Sequence, residues 1–206
     1  MWSYRPEWAN TIEEKESVLK GGVSTVYRFN LMSHTGTYIE TTQHKLAVDF
    51  LLKDFDIEHF YRSVKLVVVI PDENGIVLLS DFLESCKTSN IQFVKGDSLI
   101  IATNYGVNHR KENYLEASPS FEESLTNYLC ELELSFIGTD TPIIENLKNP
   151  HKPVIKLFES NKRMLLIAPL LIDTNEIKTG TYTISCAPLN IEGTSGALCR
   201  PLLIQN

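Results

Sequence analysis

The sequence predicts an α/β fold, because segments with strand character alternate with segments that have helical spacing. Residues 66–70 (LVVVI) form a short apolar run that a proline ends, and residues 96–106 begin at a glycine and continue as a second strand. Between them, residues 77–93 place apolar side chains on one side of a helix. Such alternation is typical of a sheet with helices packed on it.

The chain is expected to form one domain, residues 23–206, preceded by an N-terminal arm of residues 1–22. Its 206 residues are enough to bury a sizeable core, and nothing in the sequence indicates a second domain. The arm contains the aromatic residues Trp2, Tyr4 and Trp8. Exposed aromatic groups are enriched at interfaces. The arm is therefore expected either to pack on its own domain or to dock on a second subunit.

Further elements are predicted along the chain. Residues 13–22 indicate a short helix that two glycines end, and residues 23–44 alternate like a strand. Residues 120–134 have helical spacing, with a capping box formed by Ser120 and Glu123. Two later segments are predicted to be strands around a turn: residues 164–172 and residues 181–189.

The charge and the cysteines limit the possible partners and the location. A net charge of -7 argues against nucleic-acid binding, which concentrates Lys and Arg on one face. No apolar run approaches the roughly 20 residues that cross a bilayer, and the N-terminal sequence is polar and acidic, so a cytoplasmic protein is expected. Without C-x-x-C spacing, the four cysteines are predicted to be reduced core thiols: Cys86, Cys130, Cys186 and Cys199.

Acidic residues also occur in residues 47–64, where apolar and charged residues mix without a clear period. Such acidic runs usually form a solvated face, so no metal site is predicted there. The residues concerned are Asp49, Asp54, Asp56 and Glu58.

Residues 34–44 (HTGTYIETTQH) are the place where metal-capable and ionisable side chains crowd together. In an extended strand, side chains at even separations share a face, which would gather five groups: His34, Tyr38, Glu40, Thr42 and His44. Imidazoles and a carboxylate suit a zinc or manganese ion, for which His34 and Glu40 are the candidate ligands. The alternative interpretation is an ordinary Thr-rich sheet surface.

This segment resembles the pattern H-x-G-T-H-x-D-x-P-x-H of the cyclase family, which includes the bacterial kynurenine formamidases. His34, Gly36, Thr37 and His44 match the pattern in register, whereas Tyr38 replaces its second His. Glu40 and Thr42 stand at its Asp and its Pro. The C-terminal half carries further likeness in residues 96–106, 138–142 and 187–204.

The resemblance implies a mixed sheet or barrel-like core with outer helices, and a homodimer or higher homo-oligomer. It also implies that Phe55, Phe60 and Tyr61 help to wall a substrate pocket, although core packing is the equal alternative. Asn104 and Tyr105 follow a predicted strand and are candidate pocket groups. Asp140 is a third candidate, with the alternative role of holding loop amides.

A second metal position of the family falls near Lys156 and Ala168, neither of which can replace a His or a carboxylate. A shift of register would bring His151 or Glu159 forward. The two-metal form of the site is therefore expected to be lost. Because the first position also lacks one His, chemistry without a metal is slightly favoured.

The resulting hypothesis is a cyclase-like or formamidase-like enzyme that hydrolyses, cyclises or dehydrates a small metabolite. Its catalytic residues would be His44, Glu40 and Tyr38, with His44 as acid or base. One zinc or manganese ion is possible as a cofactor, and no nucleotide-binding pattern is present. The alternative is a catalytically silent member that uses the same pocket to bind a small molecule or a partner.

Overall fold

The computed structural model describes residue 4 and residues 7–8, 10–108, 112–145 and 151–205. Within these residues the strands are β1 (Thr11–Glu16), β2 (Val26–Asn30), β3 (Tyr38–Thr41), β4 (Tyr61–Val68), β5 (Ile76–Val77), β6 (Ser98–Ala102), β7 (Ser120–Phe121), β8 (Phe136–Thr139), β9 (Leu165–Ala168), β10 (Gly180–Ser185), β11 (Gly196–Leu198) and β12 (Leu202–Gln205). The α-helices are α1 (Leu79–Thr88), α2 (Glu123–Glu131) and α3 (Pro153–Ser160).

One eight-stranded sheet forms the centre of the molecule, in the order β11, β3, β9, β8, β6, β4, β10, β12. The inner strands β4, β6, β8 and β9 are parallel, and the pairs on either side are antiparallel. Parallel neighbours need crossover connections, and each of the three helices lies in one of them. The sheet curls into a half barrel, which confirms the predicted α/β fold with a mixed sheet and outer helices.

Both faces of the sheet are buried at its centre. On one face, Val67 and Ile101 pack with Phe82 of α1. On the opposite face, Leu66 and Ile100 point into the half barrel. Because successive side chains of a strand point to opposite faces, a strand covered on both sides needs an unbroken apolar run. This explains the apolar run at residues 66–69, whereas Ile70 follows the strand and is 62% exposed.

The predicted helix at residues 13–22 is wrong, because most of this segment forms strand β1 and the turn after it. Strand β1 pairs with β2 as a separate two-stranded antiparallel sheet. Only Val18–Lys20 make one turn of 3-10 helix, which ends at Gly21 with a φ of 84°. The pairing of β1 with β2 therefore outweighs the weak helical propensity of this segment. The two-stranded ribbon formed by β1 and β2 continues across residue 22. The predicted division between an arm (residues 1–22) and a domain (residues 23–206) stays a prediction.

The two predicted helices exist but are shorter than predicted. In the second, Ser120 and Phe121 form strand β7 beside β5, and α2 begins only after Glu122. The capping box at Ser120 is therefore wrong: the side chain of Glu122 instead accepts a hydrogen bond from the Leu79 amide, 3.0 Å away, at the start of α1. Contacts between distant segments, rather than local spacing, therefore determine where these helices begin.

The structure also interrupts the strand predicted for residues 23–44. Strand β2 ends at Asn30, β3 covers only Tyr38–Thr41, and Thr42–His44 form a turn of 3-10 helix. Gly36 has a φ of 60°, a conformation that favours glycine, so the chain bends between the two strands. Among the described residues, no helix is both long enough and apolar enough to cross a membrane.

Candidate active site

Glu40 lies at the centre of the candidate site and is only 3% exposed. Strand β3 holds it between β11 and β9, opposite Gly196 on one side and Leu166 on the other. A Cβ atom at Gly196 would lie 3.4 Å from the Glu40 Cβ and from His34 Cε1, so this glycine leaves just enough room for both side chains. The carboxylate is thereby fixed in a rigid part of the sheet.

His34 reaches Glu40 from the loop before β3. Its Nε2 is 2.8 Å from Glu40 Oε2, and its Nδ1 is 2.8 Å from the Ser33 hydroxyl. A carboxylate only accepts hydrogen bonds, so Nε2 carries the hydrogen and the Ser33 hydroxyl donates to Nδ1. A hydroxyl can equally accept, so Ser33 can also orient the opposite tautomer, in which Nε2 is free to bind an ion.

His44 completes the cluster because the 3-10 turn after β3 brings it back over the strand. Its Nε2 is 3.7 Å from Glu40 Oε2, and its ring centre is 4.2 Å from that of His34. Burial lowers the pKa of His44 below its ordinary value of 6.5; the charge of Glu40 raises it in part, and His34 and Lys45 lower it further. The imidazole is therefore neutral at pH 7 and free to accept a proton or bind an ion.

These three side chains fit a single divalent ion. One ligand atom from each of His34, Glu40 and His44 can be chosen so that all lie within 4.8 Å of one another, and no other such group of His, Cys, Asp or Glu occurs among the described residues. Two imidazoles and a carboxylate are a ligand set found in catalytic zinc sites, which leave a further position open. The sequence named His34 and Glu40 as ligands, and the structure brings His44 beside them.

Tyr38 shares the face of β3 with Glu40 but makes a different contact. Its hydroxyl is 2.7 Å from the Tyr4 hydroxyl, which donates to the Pro142 carbonyl 2.5 Å away. Tyr38 therefore donates to Tyr4. Burial, together with the charge of Glu40, raises the pKa of the Tyr38 phenol well above 10. The phenol stays protonated, and its predicted role as a partner of His44 in acid-base chemistry stays a prediction.

The cluster lines a cavity of about 440 Å³. Much of the lining is apolar and includes six aliphatic side chains: Ile143, Ile144, Val154, Ile155, Leu166 and Ala168. Tyr4 and Trp8 of the N-terminal arm also line it, so these two aromatic residues contact their own domain. The lining also contains three further charged residues, Lys45, Glu145 and Lys152, together with Thr139, Thr141 and Pro142. An apolar cavity with a few convergent polar groups is the usual form of a small-molecule site.

The three predicted pocket residues are not among the residues that line this cavity. The Asn104 side-chain oxygen accepts from the Thr174 amide, and the Tyr105 hydroxyl donates to the Tyr114 carbonyl. Asp140 is fully buried and accepts from the Thr103 amide and hydroxyl at 2.9 and 2.7 Å. Asp140 thus has the alternative role foreseen for it, which is to hold a loop after a strand.

Other candidates also lie elsewhere. Phe55 and Phe60 are core residues of the half barrel, and Tyr61 is 59% exposed. His151 Nε2 is 3.0 Å from the Thr126 hydroxyl, and Lys156 pairs with Glu123. Glu159 is exposed on α3, whereas the Ala168 methyl group lines the cavity without offering a ligand.

Several cavity residues were not predicted from the sequence. Lys45 lines the cavity and adjoins a motif residue, as does Ser33, which lies outside the lining and contacts His34; their position next to the motif was the signal available. Glu145, Lys152 and Val154 lie far along the chain and have no local pattern that marks them. Tyr4 and Trp8 were recognised as aromatic, but their place in the cavity required the tertiary structure.

The fold and the site define a class of α/β protein in which a carboxylate on one strand of a half-barrel sheet meets two imidazoles from the segments before and after that strand. Residues 2–146 match the model of the Cyclase family. The chain therefore belongs to the cyclase family. A comparison with curated protein sequences gave no significant match.

Solved structures share the whole fold at low sequence identity. A potential metal-dependent hydrolase with cyclase activity matches with a TM-score of 0.75 and 19% identity, covering 98% of this chain and 90% of the other. A predicted metal-dependent hydrolase from Bacillus stearothermophilus gives 0.76 and 20%, with coverages of 98% and 90%. Isatin hydrolase A from Labrenzia aggregata gives 0.78 and 16%, with coverages of 100% and 88%. At these identities the likeness establishes the fold alone.

Proposed function

We propose that this chain is a hydrolase that cleaves an amide, lactam or ester bond of a small metabolite in the 440 Å³ cavity. The observation that carries the proposal is the contact of Glu40 with His34 and His44 at the cavity surface. Buried groups of this kind are costly to maintain in a core and are common in reactive sites. The hydrolases among the structural neighbours support the same reaction class.

We further propose that His34, Glu40 and His44 hold one zinc or manganese ion. When bound, such an ion would polarise a substrate carbonyl and help to supply a nucleophile at neutral pH. Ser33 orients the His34 ring, and the sheet fixes Glu40, so both side chains are positioned before any ligand arrives. The apolar side chains of the cavity would hold the substrate next to the cluster.

The metal-free form of the site is a second candidate. His44 has a neutral imidazole that Glu40 approaches without a direct hydrogen bond, at 3.7 Å. In this form His44 would take a proton from the attacking group and return it to the leaving group, and Glu40 would stabilise the charged imidazolium. Cyclisation or dehydration would need the same proton transfer.

The test combines metal content with turnover. Tag-free protein purified without chelator would be analysed by plasma mass spectrometry and assayed on a panel of amides, lactams and esters. The proposal expects about one ion per chain, and it expects His44→Ala to lose both the ion and turnover. The matched control is His151→Ala, which removes an imidazole that does not line the cavity.

Other outcomes separate the alternatives. If the protein turns over substrate without stoichiometric metal, and His44→Ala removes this activity, the metal-free candidate is correct. If no substrate on the panel is hydrolysed, while ligands still bind and His44→Ala binds them equally well, the chain is a binding member of the family and the enzyme proposal fails.

A further inference from the structure

A second cavity, of about 420 Å³, lies at the half-barrel face of the sheet. It shares no lining residue with the cavity of the candidate active site, so the two are distinct. Strands β6, β10 and β12 contribute Ile100, Ile184 and Leu203, and the segment after β9 contributes Leu170 and Ile172. A volume of this size lies within the range of ~300–1,000 Å³ that is usual for small-molecule sites.

One end of this second cavity is buried, whereas the other end is open to solvent. Ile100 and Ile184 are each 1% exposed. By contrast, Leu171 is 68% exposed and Leu202 is 59% exposed. All four side chains line the cavity, so apolar groups are present from its exposed end to its buried end. Such a lining suits a ligand whose body is apolar, because the ligand would remove apolar surface from water on both sides of the contact.

The uncharged polar side chains of the lining either have partners already or are weak ligands. The Thr35 hydroxyl donates to the Asn10 side-chain oxygen, 2.9 Å away, and the Thr37 hydroxyl donates to the Pro169 carbonyl, 2.6 Å away. Burial raises the pKa of the Cys199 thiol to about 12, so this group is neutral at pH 7. A cavity with few available polar groups holds ordered water poorly and favours an apolar occupant.

Arg200 is the only charged residue among the described residues that line this cavity. It is exposed, and its side chain makes no ion pair or hydrogen bond with another residue of the described chain. An arginine guanidinium is always charged, and its planar fork of donors matches the geometry of a carboxylate. A single cation beside an apolar cavity balances one negative charge. A monoanion is therefore complementary to this site, whereas the second charge of a phosphate monoester would stay unbalanced.

We propose that this second cavity binds a small carboxylic acid that has an apolar body. The body packs on the side chains around Ile100 and Ile184, and the carboxylate accepts hydrogen bonds from Arg200. The apolar contacts contribute most of the affinity. The charge-assisted hydrogen bonds orient the ligand and select an acid over a neutral molecule of the same shape.

The proposed site adjoins the candidate active site without overlapping it. Thr35 and Thr37 line the second cavity, whereas His34 and Tyr38 line the first. Neighbouring residues of one segment therefore face different cavities. The acid would contact the segment that carries His34 and would leave the substrate cavity free. Its binding can be measured without turnover, so the proposal stands or fails independently of the hydrolase proposal.

The experiment is isothermal titration of the full chain with octanoate and with 1-octanol, a neutral ligand of the same chain length. Octanoate is expected to bind once per chain with a dissociation constant below about 1 mM. It should bind at least about tenfold more tightly than 1-octanol, because hydrogen bonds to charged groups are the stronger ones. Arg200→Gln is expected to remove this preference. The matched control is Arg28→Gln, which changes an exposed arginine outside the lining and should leave octanoate binding unchanged.

A second variant and a second measurement locate the ligand. Leu202→Glu places a negative charge at the exposed end of the cavity, so it is expected to weaken binding of octanoate more than binding of 1-octanol. In methyl NMR spectra of the wild type, octanoate should shift the signals of Ile100 and Ile184. The signals of Ile143 and Ile155, which line the first cavity, should not move.

Near-UV circular dichroism checks that the variants fold, and if Arg200→Gln does not fold, Leu202→Glu tests the role of charge. Three results would overturn the proposal: no binding of octanoate to the wild type at about 10 mM, equal affinities for octanoate and 1-octanol, or an undiminished preference for octanoate in the folded variants. Methyl shifts confined to Ile143 and Ile155 would place the acid in the first cavity and would overturn it as well.

Discussion

Nε2 of His34 and Oε2 of Glu40 lie 2.8 Å apart, and this contact joins a loop to the interior of a sheet. Strand β3 presents Glu40 on one face, and the bend at Gly36 returns the chain so that His34 reaches the same carboxylate. The short turn after the strand adds His44. One strand with a bend at each end therefore brings three side chains together: His34, Glu40 and His44.

Glu40→Gln is expected to weaken binding of zinc or manganese by tenfold or more. The amide is neutral and a poorer ligand, and changes to groups around a metal site commonly cost about 10–100-fold in affinity. Competition with a chromogenic chelator would measure the dissociation constant. Glu145→Gln, which changes another carboxylate of the cavity lining, is the control and should bind as the wild type does. Equal affinity in Glu40→Gln would show that Glu40 is not a ligand.

Tyr38→His is expected to bind the ion more tightly than the wild type, by about tenfold. The new imidazole would share the strand face of Glu40 and could add a fourth ligand. Tyr38→Phe is the control: it also removes the hydrogen bond to Tyr4 but supplies no ligand. Isothermal titration with zinc compares the two variants, and equal affinities would mean that the side chain at position 38 does not reach the ion.

Asp140→Ala is expected to lower the free energy of unfolding by about 1–3 kcal/mol. It removes the buried acceptor of two hydrogen bonds from Thr103 and leaves these donors unsatisfied. Urea unfolding followed by fluorescence measures the loss. Asp49→Ala, at an exposed position, should change stability little. A loss of ion affinity rather than stability in Asp140→Ala would instead assign this residue to the site.

Glu16 is expected to titrate below its ordinary pKa of 4.5. Hydrogen bonds to its carboxylate from the Val23 amide, the Ser24 amide and the Ser24 hydroxyl lower this pKa. The pKa of Glu16 is lower in the folded than in the unfolded chain. These hydrogen bonds therefore contribute fully to the stability of the turn between β1 and β2 when the pH is above 4.5. This contribution is lost as the pH falls through the folded pKa.

Carboxyl chemical shifts in a pH titration by NMR would measure the pKa of Glu16. Ser24→Ala is expected to move the titration midpoint part of the way back towards 4.5. If this variant and the wild type titrate at the same pH, the hydroxyl contact does not exist in solution.

The sequence predicted the parts of the fold that depend on local pattern. The unbroken run at residues 66–70 predicted a buried strand, because only a strand covered on both faces needs such continuity. The helical spacing around Phe82 and Leu125 predicted α1 and α2, since both side chains face the sheet. The ends of these helices were missed, because the pairing of β7 with β5 is a contact between distant segments.

The sequence likewise predicted only one part of the candidate site. Spacing within residues 34–44, with its resemblance to a family pattern, identified His34, Glu40 and His44 as a group. Only the tertiary structure decided that Tyr38 bonds to Tyr4, that Asp140 holds a loop and that residues 143–145, 152, 154 and 155 line the cavity. Local sequence reports periodicity and chemical type, whereas these roles follow from which distant segments pack together to bury the most apolar surface.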